Sequence, residues 1–494
     1  MKSIFKKVFY FLGSLCLIYL ILMIPIHSDE EFTGAGNDPF AWDKDDFWKE
    51  LEKSFNIYRG VGCDSVNVLI DFSISEYKGM IGKLHHEHFT PDNNFFDSLE
   101  LVLFKTSTQI AACNKRAMEF IDLNMQVREL VKMQSINWDM NSPITRKRLY
   151  RLLYGNRAAI EEIILQMPED KRPDWIRGTN EPSDTKIGIL NNSLIRSGDI
   201  LVSRGGAPVS ALISRGNDYP GNFSHVALAL VDSNGNLNFI ESHIESGVIT
   251  TNVNEYLSDR KFRIMILRPR YEMLKNVFLN TKLPDEAAHT ALHEQSIRHI
   301  PYDFEMNFYE PTEMFCSEVV YFSYKKHSLE LWSGMTLISS RGIVNWLGDF
   351  GVEHFTSVEP SDLEYDPQLS VVAEWRDPRE LQKDHVDNAV MDIMLEDADN
   401  GEVLDYNIFL LPVARMLKGY SWILNQFELK GPIPEGMSPI SALKEQYFSS
   451  LHSKLAREVM QMANEFKFVN GYNPPYWDLL KMARSSKNKI NSSN

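Results

Sequence analysis

The stretch PTEMFCSEVVYF at residues 311–322 decides how the rest of this chain is interpreted. A proline and a hydroxyl residue precede an apolar helical run that ends in Lys325 and Lys326, and residues of these types cap and begin helices. Cys316 is therefore predicted to lie in or beside the first helical turn, where unpaired N–H groups and the helix dipole favour a thiolate. A lone cysteine is more often a small buried apolar residue, so a catalytic role depends on residues elsewhere in the chain.

Two apolar runs upstream, joined by a short polar turn, predict an antiparallel hairpin. The runs are NFSHVALALV at 222–231 and LNFIESH at 237–243, with DSNGN between them. His225 and Glu241 then lie near the outer ends of paired strands, close enough to form a hydrogen bond. A cysteine at a helix start, an imidazole to take its proton and a carboxylate to orient the imidazole are the components of a Cys-His-acid hydrolase.

Four segments of the chain resemble the circularly permuted papain-like hydrolases of the NlpC/P60 superfamily, above all its YiiX/YaeF-like branch. In that family the histidine strand precedes the cysteine helix, the reverse of the order in papain, and this chain has the permuted order. The resemblance covers roughly residues 195–330, or as far as 375, and implies an α+β fold with an antiparallel sheet and a nucleophile helix. The segments are GDILV from Gly198, SHVAL from Ser224, ESH from Glu241 and FCSEVVYFSY from Phe315.

The resemblance implies a role for each member of the triad. Cys316 is the expected nucleophile, His225 the general base and Glu241 the residue that orients the imidazole. Tyr302 resembles a family residue that helps to hold the oxyanion, with core packing as the alternative. Arg204, beside a glycine pair, is a candidate substrate contact. This chemistry needs no metal and no organic cofactor.

His243 and Glu245 compete with His225 and Glu241 for the same roles. In an extended strand His243 shares a face with Glu241, so side-chain alternation does not exclude it. The family pattern, in which the histidine follows a serine at the start of an apolar strand, favours His225.

The resulting hypothesis is a membrane-anchored cysteine hydrolase that cleaves an amide bond through an acyl-enzyme. The resemblance implies small peptides, amino-acid amides or cell-wall peptides as substrates. One alternative keeps the triad but makes the enzyme a lipid acyltransferase or thioesterase. Another is an inactive fold that serves as a binding scaffold.

Composition limits the classes of protein that remain. The chain has 494 residues, of which 44% are hydrophobic and 24% charged, as expected for a folded protein of two or three domains. Its formal net charge of −16 makes it a poor ligand for polyanions, so we expect no nucleic-acid partner. The oligomeric state is left open.

The amino terminus resembles a membrane segment. Lys2, Lys6 and Lys7 precede an uncharged run at residues 8–26, whose length is close to the thickness of a hydrocarbon core. The predicted protein spans the membrane once, with its catalytic region extracytoplasmic, in a bacterial periplasm. The alternative is a signal peptide whose cleavage leaves a secreted protein.

Breaks in the pattern divide the chain into four parts. Residues 1–28 are the anchor, 29–186 a linker (29–42) and a helical domain, 187–378 the catalytic domain, and 379–494 a helical region with a disordered tail from Ser485. Cys63 and Cys113 form either a disulfide or two free buried thiols. The run His85-His86-Glu87-His88 is either a solvated helix end, which is favoured, or part of a metal site.

Overall fold

The computed structural model describes residues 2–25, 32–42, 44–427 and 429–493. Within these residues, helices surround a seven-stranded sheet in which every strand pairs antiparallel with its neighbours. The predicted α+β class, with an antiparallel sheet and helical flanks, is confirmed.

The amino-terminal region is helical up to Gln166, as the sequence predicts. Of the predicted linker, residues 29–31 lie outside the described residues, and 32–42 form neither helix nor strand. A π-helical turn at Tyr150–Tyr154 connects the last two helices. The helices are α1 (Lys2–Leu22), α2 (Asp45–Val61), α3 (Cys63–His86), α4 (Asn94–Cys113), α5 (Ala117–Ser135), α6 (Pro143–Leu149) and α7 (Gly155–Gln166).

The prediction of a single-pass membrane protein is wrong. In the part of the chain that the structure describes, no helix has both the length and the apolar character needed to cross a bilayer. Helix α1 ends at Leu22, so beyond Lys7 it has about 22 Å of charge-free helix, against about 30 Å of hydrocarbon. Residues 26 and 27 of the predicted span and its flank lie outside the described residues. The extracytoplasmic location, which depended on this span, is withdrawn with it.

Two further details concern the ends of helices. Cys63, at the start of α3, and Cys113, at the end of α4, form a disulfide, which decides between the two alternatives. The four residues from His85 to His88 are exposed where α3 ends, as a solvated helix end would be.

The predicted hairpin is part of the sheet and lies between its centre and one edge. Its strand order is β1-β11-β8-β4-β5-β6-β7, so the hairpin β5–β6 lies beside the buried strand β4. Two small ladders, β2–β3 and β9–β10, lie outside it. The strands are β1 (Trp175–Arg177), β2 (Ile187–Leu190), β3 (Ser193–Arg196), β4 (Ile200–Gly205), β5 (His225–Val231), β6 (Leu237–His243), β7 (Gly247–Asn252), β8 (Lys261–Pro269), β9 (Thr336–Leu337), β10 (Thr356–Ser357) and β11 (Leu369–Arg376).

The remaining helices cover the sheet and build the carboxyl-terminal region. Helix α12 packs against β5 and β6, and α14, α16 and α17 pack on one another. They are α8 (Pro208–Arg215), α9 (Val253–Ser258), α10 (Tyr271–Asn276), α11 (Leu283–Ile297), α12 (Cys316–Lys325), α13 (Arg341–Asp349), α14 (Leu381–Asp399), α15 (Leu411–Asn425), α16 (Pro439–Asn470) and α17 (Tyr476–Ser493).

The predicted disordered tail is instead part of α17, which continues to Ser493. Ser486 and Lys487 are buried, and the Lys487 ammonium pairs with Glu402 at 2.6 Å. Polar composition predicted disorder, but tertiary contacts hold this helix in place. Asn494 lies outside the described residues.

Buried ion pairs connect the amino-terminal helices, the sheet and α14. Glu364 accepts hydrogen bonds from Arg128 of α5 at 2.9 Å and from Arg157 of α7 at 2.8 Å. Arg263 of β8 donates to Asp384 of α14 at 2.7 Å. Residues of α2 to α7 also share a hydrophobic core with one face of the sheet. The three regions therefore pack as neighbours, while the exact domain boundaries stay a prediction.

Candidate active site

The hairpin β5–β6 brings an imidazole and a carboxylate together. Ala227 pairs with Glu241 across the two strands, and His225 precedes Ala227 by two residues, so the His225 and Glu241 side chains are diagonal neighbours on one face. His225 Nε2 lies 2.7 Å from Glu241 Oε2. Because this hydrogen bond uses Nε2, Nδ1 is the ring nitrogen that can take a proton from a nucleophile.

Glu241 has two further polar neighbours. Thr251 of β7 donates its hydroxyl to Glu241 Oε1 at 2.5 Å, and His243 Nε2 lies 3.2 Å from the same oxygen. These contacts hold the buried carboxylate in one orientation. They also show that His243 reaches Glu241 rather than replacing His225 as its partner.

Cys316 is the first residue of α12, as the sequence predicts. The expected cap from Thr312 is not formed, because the helix begins four residues later. Instead the Glu318 carboxyl group accepts the Phe315 N–H at 2.8 Å and closes the first turn. Helix α12 packs against β5, and the Val226 backbone is close enough to affect the pKa of the Cys316 thiol, so the sulfur lies near the start of β5.

Burial determines the charge of the Cys316 sulfur at rest. The helix start favours a thiolate, but burial favours the neutral thiol. Desolvation raises the pKa of the Cys316 thiol to about 11, although N–H groups of Val226 and Ser317 oppose the shift. Desolvation also lowers the pKa of His225, against the bond to Glu241. The pair at rest is therefore a neutral thiol and a neutral imidazole.

The Glu241 carboxyl group is ionised. Burial alone would raise the pKa of Glu241, but its hydrogen bonds to His225 and His243 hold that pKa well below its usual range. Neutral His225 can therefore donate its Nε2–H to a charged Glu241, which is the tautomer that leaves the Nδ1 lone pair available.

Tyr302 lies next to the sulfur. Burial raises the pKa of its hydroxyl well above the usual value, and the neighbouring Cys316, Asp303 and Glu318 act in the same direction. The hydroxyl thus stays protonated and can donate. Glu318 is itself neutral near pH 7, because burial and Asp303 raise its pKa to about 9.

A cavity of about 710 Å³ opens beside the start of α12, and Cys316, Tyr302 and Ser224 are part of its wall. The volume is within the range of small-molecule sites. The Ser224 hydroxyl is buried and has no hydrogen-bond partner within the described chain, so it can bind a polar group of a ligand.

Arg204 is not among the residues that line this cavity. Its side chain is fully buried, donates to Ser214 Oγ at 2.9 Å and lies 3.6 Å from the Asp384 carboxylate. The predicted substrate contact is therefore not available, because no surface of Arg204 can reach a ligand. Glu245 does line the cavity, but the bond to His225 belongs to Glu241.

Sequence reasoning missed Ser224 and Thr251. Ser224 was noted only as part of the pattern before His225, and that adjacency was the available signal. Thr251 gave no local signal, because its hydroxyl meets Glu241 through the pairing of β6 and β7.

His225, Glu241 and His243 also satisfy the distance requirement for a metal site, since their ligand atoms all lie within 4.8 Å of one another. Two imidazoles and a carboxylate are zinc ligands in many proteins. Here the three groups already bind one another, with Glu241 as the shared acceptor. We therefore interpret the cluster as one that holds and moves a proton.

Comparisons with known proteins give one family match and a match to a solved structure. The family model described as permuted papain-like amidase enzyme, YaeF/YiiX, C92 family, matches residues 194–373. The crystal structure of the metalloprotein yiiX from Escherichia coli O157:H7 is 19% identical, covers 36% of this chain and 97% of its own, and has a TM-score of 0.30. A search of curated protein sequences finds no significant match. Residues 194–373 of this chain are thus similar to the permuted papain-like amidases of the YaeF/YiiX type, a family of papain-like hydrolases.

Proposed function

We propose that this chain is a cysteine hydrolase that cleaves an amide bond through an acyl-enzyme on Cys316. The observation that carries the proposal is the 2.7 Å bond between His225 Nε2 and Glu241, with Cys316 at the start of the helix that packs against the same hairpin. The amidase family of residues 194–373 supports the reaction class.

The resting protonation states determine the first step. His225 takes the thiol proton on Nδ1 as the sulfur attacks the amide carbonyl carbon, so a free thiolate need not accumulate. The C–S bond forms, the C–N bond breaks and the amine leaves with the proton from His225. Water, activated by the same imidazole, then hydrolyses the thioester to a carboxylic acid and regenerates the thiol. Glu241 keeps the imidazole in the required tautomer and stabilises its charged form.

Two donors are positioned for the oxyanion. The first N–H groups of a helix have no partner within the helix, which leaves the Cys316 N–H available at the start of α12. The protonated hydroxyl of Tyr302 is the second donor. Together they can stabilise charge that develops on the carbonyl oxygen.

Turnover of short peptide and amino-acid amides tests the proposal. We expect Cys316→Ala and His225→Ala each to lower kcat by roughly 10²-fold or more, while the exposed Cys16 can be replaced by alanine without effect. Undiminished activity in either catalytic variant would defeat the assignment.

Trapping the intermediate separates hydrolysis from the alternatives. Mass spectrometry of the protein, quenched during turnover, should show one acyl group on the peptide that contains Cys316. Acyl transfer to an added amine in preference to water would favour an acyltransferase. Absence of any adduct, with no turnover, would favour a binding scaffold.

A further inference from the structure

The cavity beside Cys316 is apolar along most of its wall, and much of that wall lies outside the part of the chain that matches the amidase family. Within the matched part, helix α8 contributes Val209, Leu212 and Ile213. Segments beyond residue 373 contribute the rest of one side. The depth of the cavity therefore depends on residues outside the family match. These residues are Leu410, Val413, Ala414, Leu417, Pro432, Ile433, Pro434, Met437, Ala442 and Leu443.

The side chains of the charged residue types that line the same cavity are all acidic. Its wall includes four carboxyl side chains and, among the described residues, no lysine, arginine or histidine. Such a wall repels a carboxylate or phosphate and accepts a neutral or cationic group. The four are Glu245, Asp303, Glu359 and Glu445, of which Glu359 is neutral because burial raises its pKa well above the usual value.

More carboxylates surround the nucleophile end. Burial raises the pKa of Glu313, three residues before Cys316, and the charges of nearby acidic residues raise it further. Glu245 and Asp303 also lie near the Tyr302 hydroxyl. The acidic neighbours of Glu313 are Asp303, Glu305, Glu435 and Glu310.

We infer that the substrate is an amide that joins a long acyl chain to a cationic amine. The inference rests on the proposed function. The carbonyl lies at Cys316, the acyl chain occupies the apolar cavity between α8 and α15, and the amine points to the carboxylates around Asp303 and Glu313. The carboxyl-terminal helical region thereby has a role, since it supplies the wall that selects the acyl chain.

The reaction follows the proposed mechanism and needs no further reactant than water. The acyl carbon exchanges its bond to nitrogen for one to sulfur, and the amine leaves with a proton from His225. Water then yields a free fatty acid. The cationic amine departs past carboxylates, and the products are a carboxylic acid and an amine.

Binding to the Cys316→Ala chain tests the acyl site without turnover. The probes are acetyl, octanoyl and dodecanoyl amides of 1,4-diaminobutane, measured by calorimetry below their micelle concentrations. Each added methylene that enters the cavity should tighten binding by roughly two- to fourfold, so the octanoyl amide should bind at least tenfold more tightly than the acetyl amide. Affinities within twofold of one another across the series would overturn the inference.

Narrowing the cavity in the active chain should weaken its preference for long acyl chains. Val413 of α15 lines the cavity, so Val413→Trp should lower the ratio of dodecanoyl to acetyl kcat/KM at least tenfold. Met416 lies on the same helix, is 69% exposed and is not part of the wall, so Met416→Trp should leave the ratio unchanged. Equal ratios in the two variants would contradict the inference.

The charge of the amine is tested with matched dodecanoyl amides. We expect kcat/KM to fall at least tenfold from the 1,4-diaminobutane amide to the 4-aminobutanoate amide, with the pentylamine amide between them. Equal turnover of cation and anion would overturn the cationic part of the inference. Chain-length-dependent binding without any turnover would support the acyl site and defeat the proposed hydrolase, whereas turnover without chain-length preference would do the opposite.

Discussion

At the scale of the residue, the charge on Cys316 is the result of two opposed effects. A helix start stabilises a thiolate, typically by about 1 kcal/mol, whereas full burial can shift a pKa by several units. Burial is the larger effect here, and the thiol has a pKa of about 11. Deprotonation is therefore coupled to attack on the substrate instead of preceding it.

The first prediction concerns the pH dependence of thiol alkylation in a Cys16→Ser background. Only the thiolate reacts, and with a pKa of about 11 its fraction at pH 7 is on the order of 10⁻⁴. A thiol with a raised pKa gains thiolate as pH rises, so the rate of iodoacetamide labelling should increase about tenfold per pH unit from 7 to 10. At pH 10, the His225→Ala variant should be labelled at the same rate as the chain that keeps His225. A plateau near neutral pH in the native sequence would instead indicate a thiolate–imidazolium pair.

The second prediction concerns Glu241 as a positioning residue. Its hydrogen bond raises the pKa of His225 against the stronger effect of burial, so Glu241→Gln should lower that pKa further. The acidic limb of the kcat/KM profile should move to lower pH, and kcat should fall roughly 10²-fold. The pH profile distinguishes this role from a structural one.

His243 provides the matched comparison for Glu241→Gln. It contacts the other carboxylate oxygen but is not the predicted base, so His243→Gln should lower kcat less than tenfold. A larger loss in His243→Gln than in His225→Ala would exchange the roles of the two histidines.

At the scale of the element, one turn fixes the segment that carries Tyr302. Gly247 begins β7 with φ +65°, and a Cβ there would overlap the Ile300 carbonyl oxygen. That same oxygen accepts the Val248 N–H at 2.9 Å, and the Pro301 oxygen accepts the Met314 N–H at 2.9 Å. The turn therefore links the hairpin to the segment that leads into the nucleophile helix.

The third prediction is that Gly247→Ala lowers both stability and activity. Positive φ alone costs an alanine about 1 kcal/mol, and the collision with Ile300 adds to it, so we expect a loss of about 3 kcal/mol in the free energy of unfolding. Gly235 has φ +84° with open space around it, so Gly235→Ala should cost about 1 kcal/mol and keep kcat/KM. Urea unfolding and kinetics measure both, and equal costs would show that Ile300 does not constrain the turn.

At the scale of the whole molecule, buried ion pairs join regions that are far apart in sequence. Glu364 binds Arg128 and Arg157, which come from α5 and α7. Removing one member of such a cluster leaves charges buried without compensation, which costs more than the intact cluster contributes.

The fourth prediction compares a buried with an exposed carboxylate. Glu364→Gln should lower the free energy of unfolding by about 3 to 5 kcal/mol. Glu119 pairs with Arg116 and Lys78 on the surface, so Glu119→Gln should change it by less than about 1 kcal/mol. Chemical denaturation decides the point, and a loss below 1 kcal/mol for Glu364→Gln would show that the cluster does not hold the regions together.

The local parts of the site were accessible from the sequence because each depends on short-range rules. The polar turn between two apolar runs specified the hairpin, and strand alternation put His225 and Glu241 on one face. The position of Cys316 at a helix start followed from the break and the apolar run around it. The family resemblance, which rests on the same segments, added the expected role of each residue.

The predictions that the structure contradicts have a common cause. Each concerned a segment whose environment depends on the residues that pack against it. The run at residues 8–26 matched a membrane span in composition, yet the helix ends at Leu22, where its carbonyl accepts a hydrogen bond from Arg415. Arg204 looked available beside its glycines until the structure paired it with Asp384. The raised pKa of Cys316 likewise reflects burial by distant elements.

By itself, therefore, the sequence determined the antiparallel hairpin and the contact between His225 and Glu241 that it carries, because hydrophobic periodicity and turn chemistry act over a few residues. Only the tertiary structure decided the charge of the nucleophile and the wall of the cavity. Both depend on residues that are far apart in the sequence, from Ala207 to Gln446, and desolvation and shape exist only after those residues have packed.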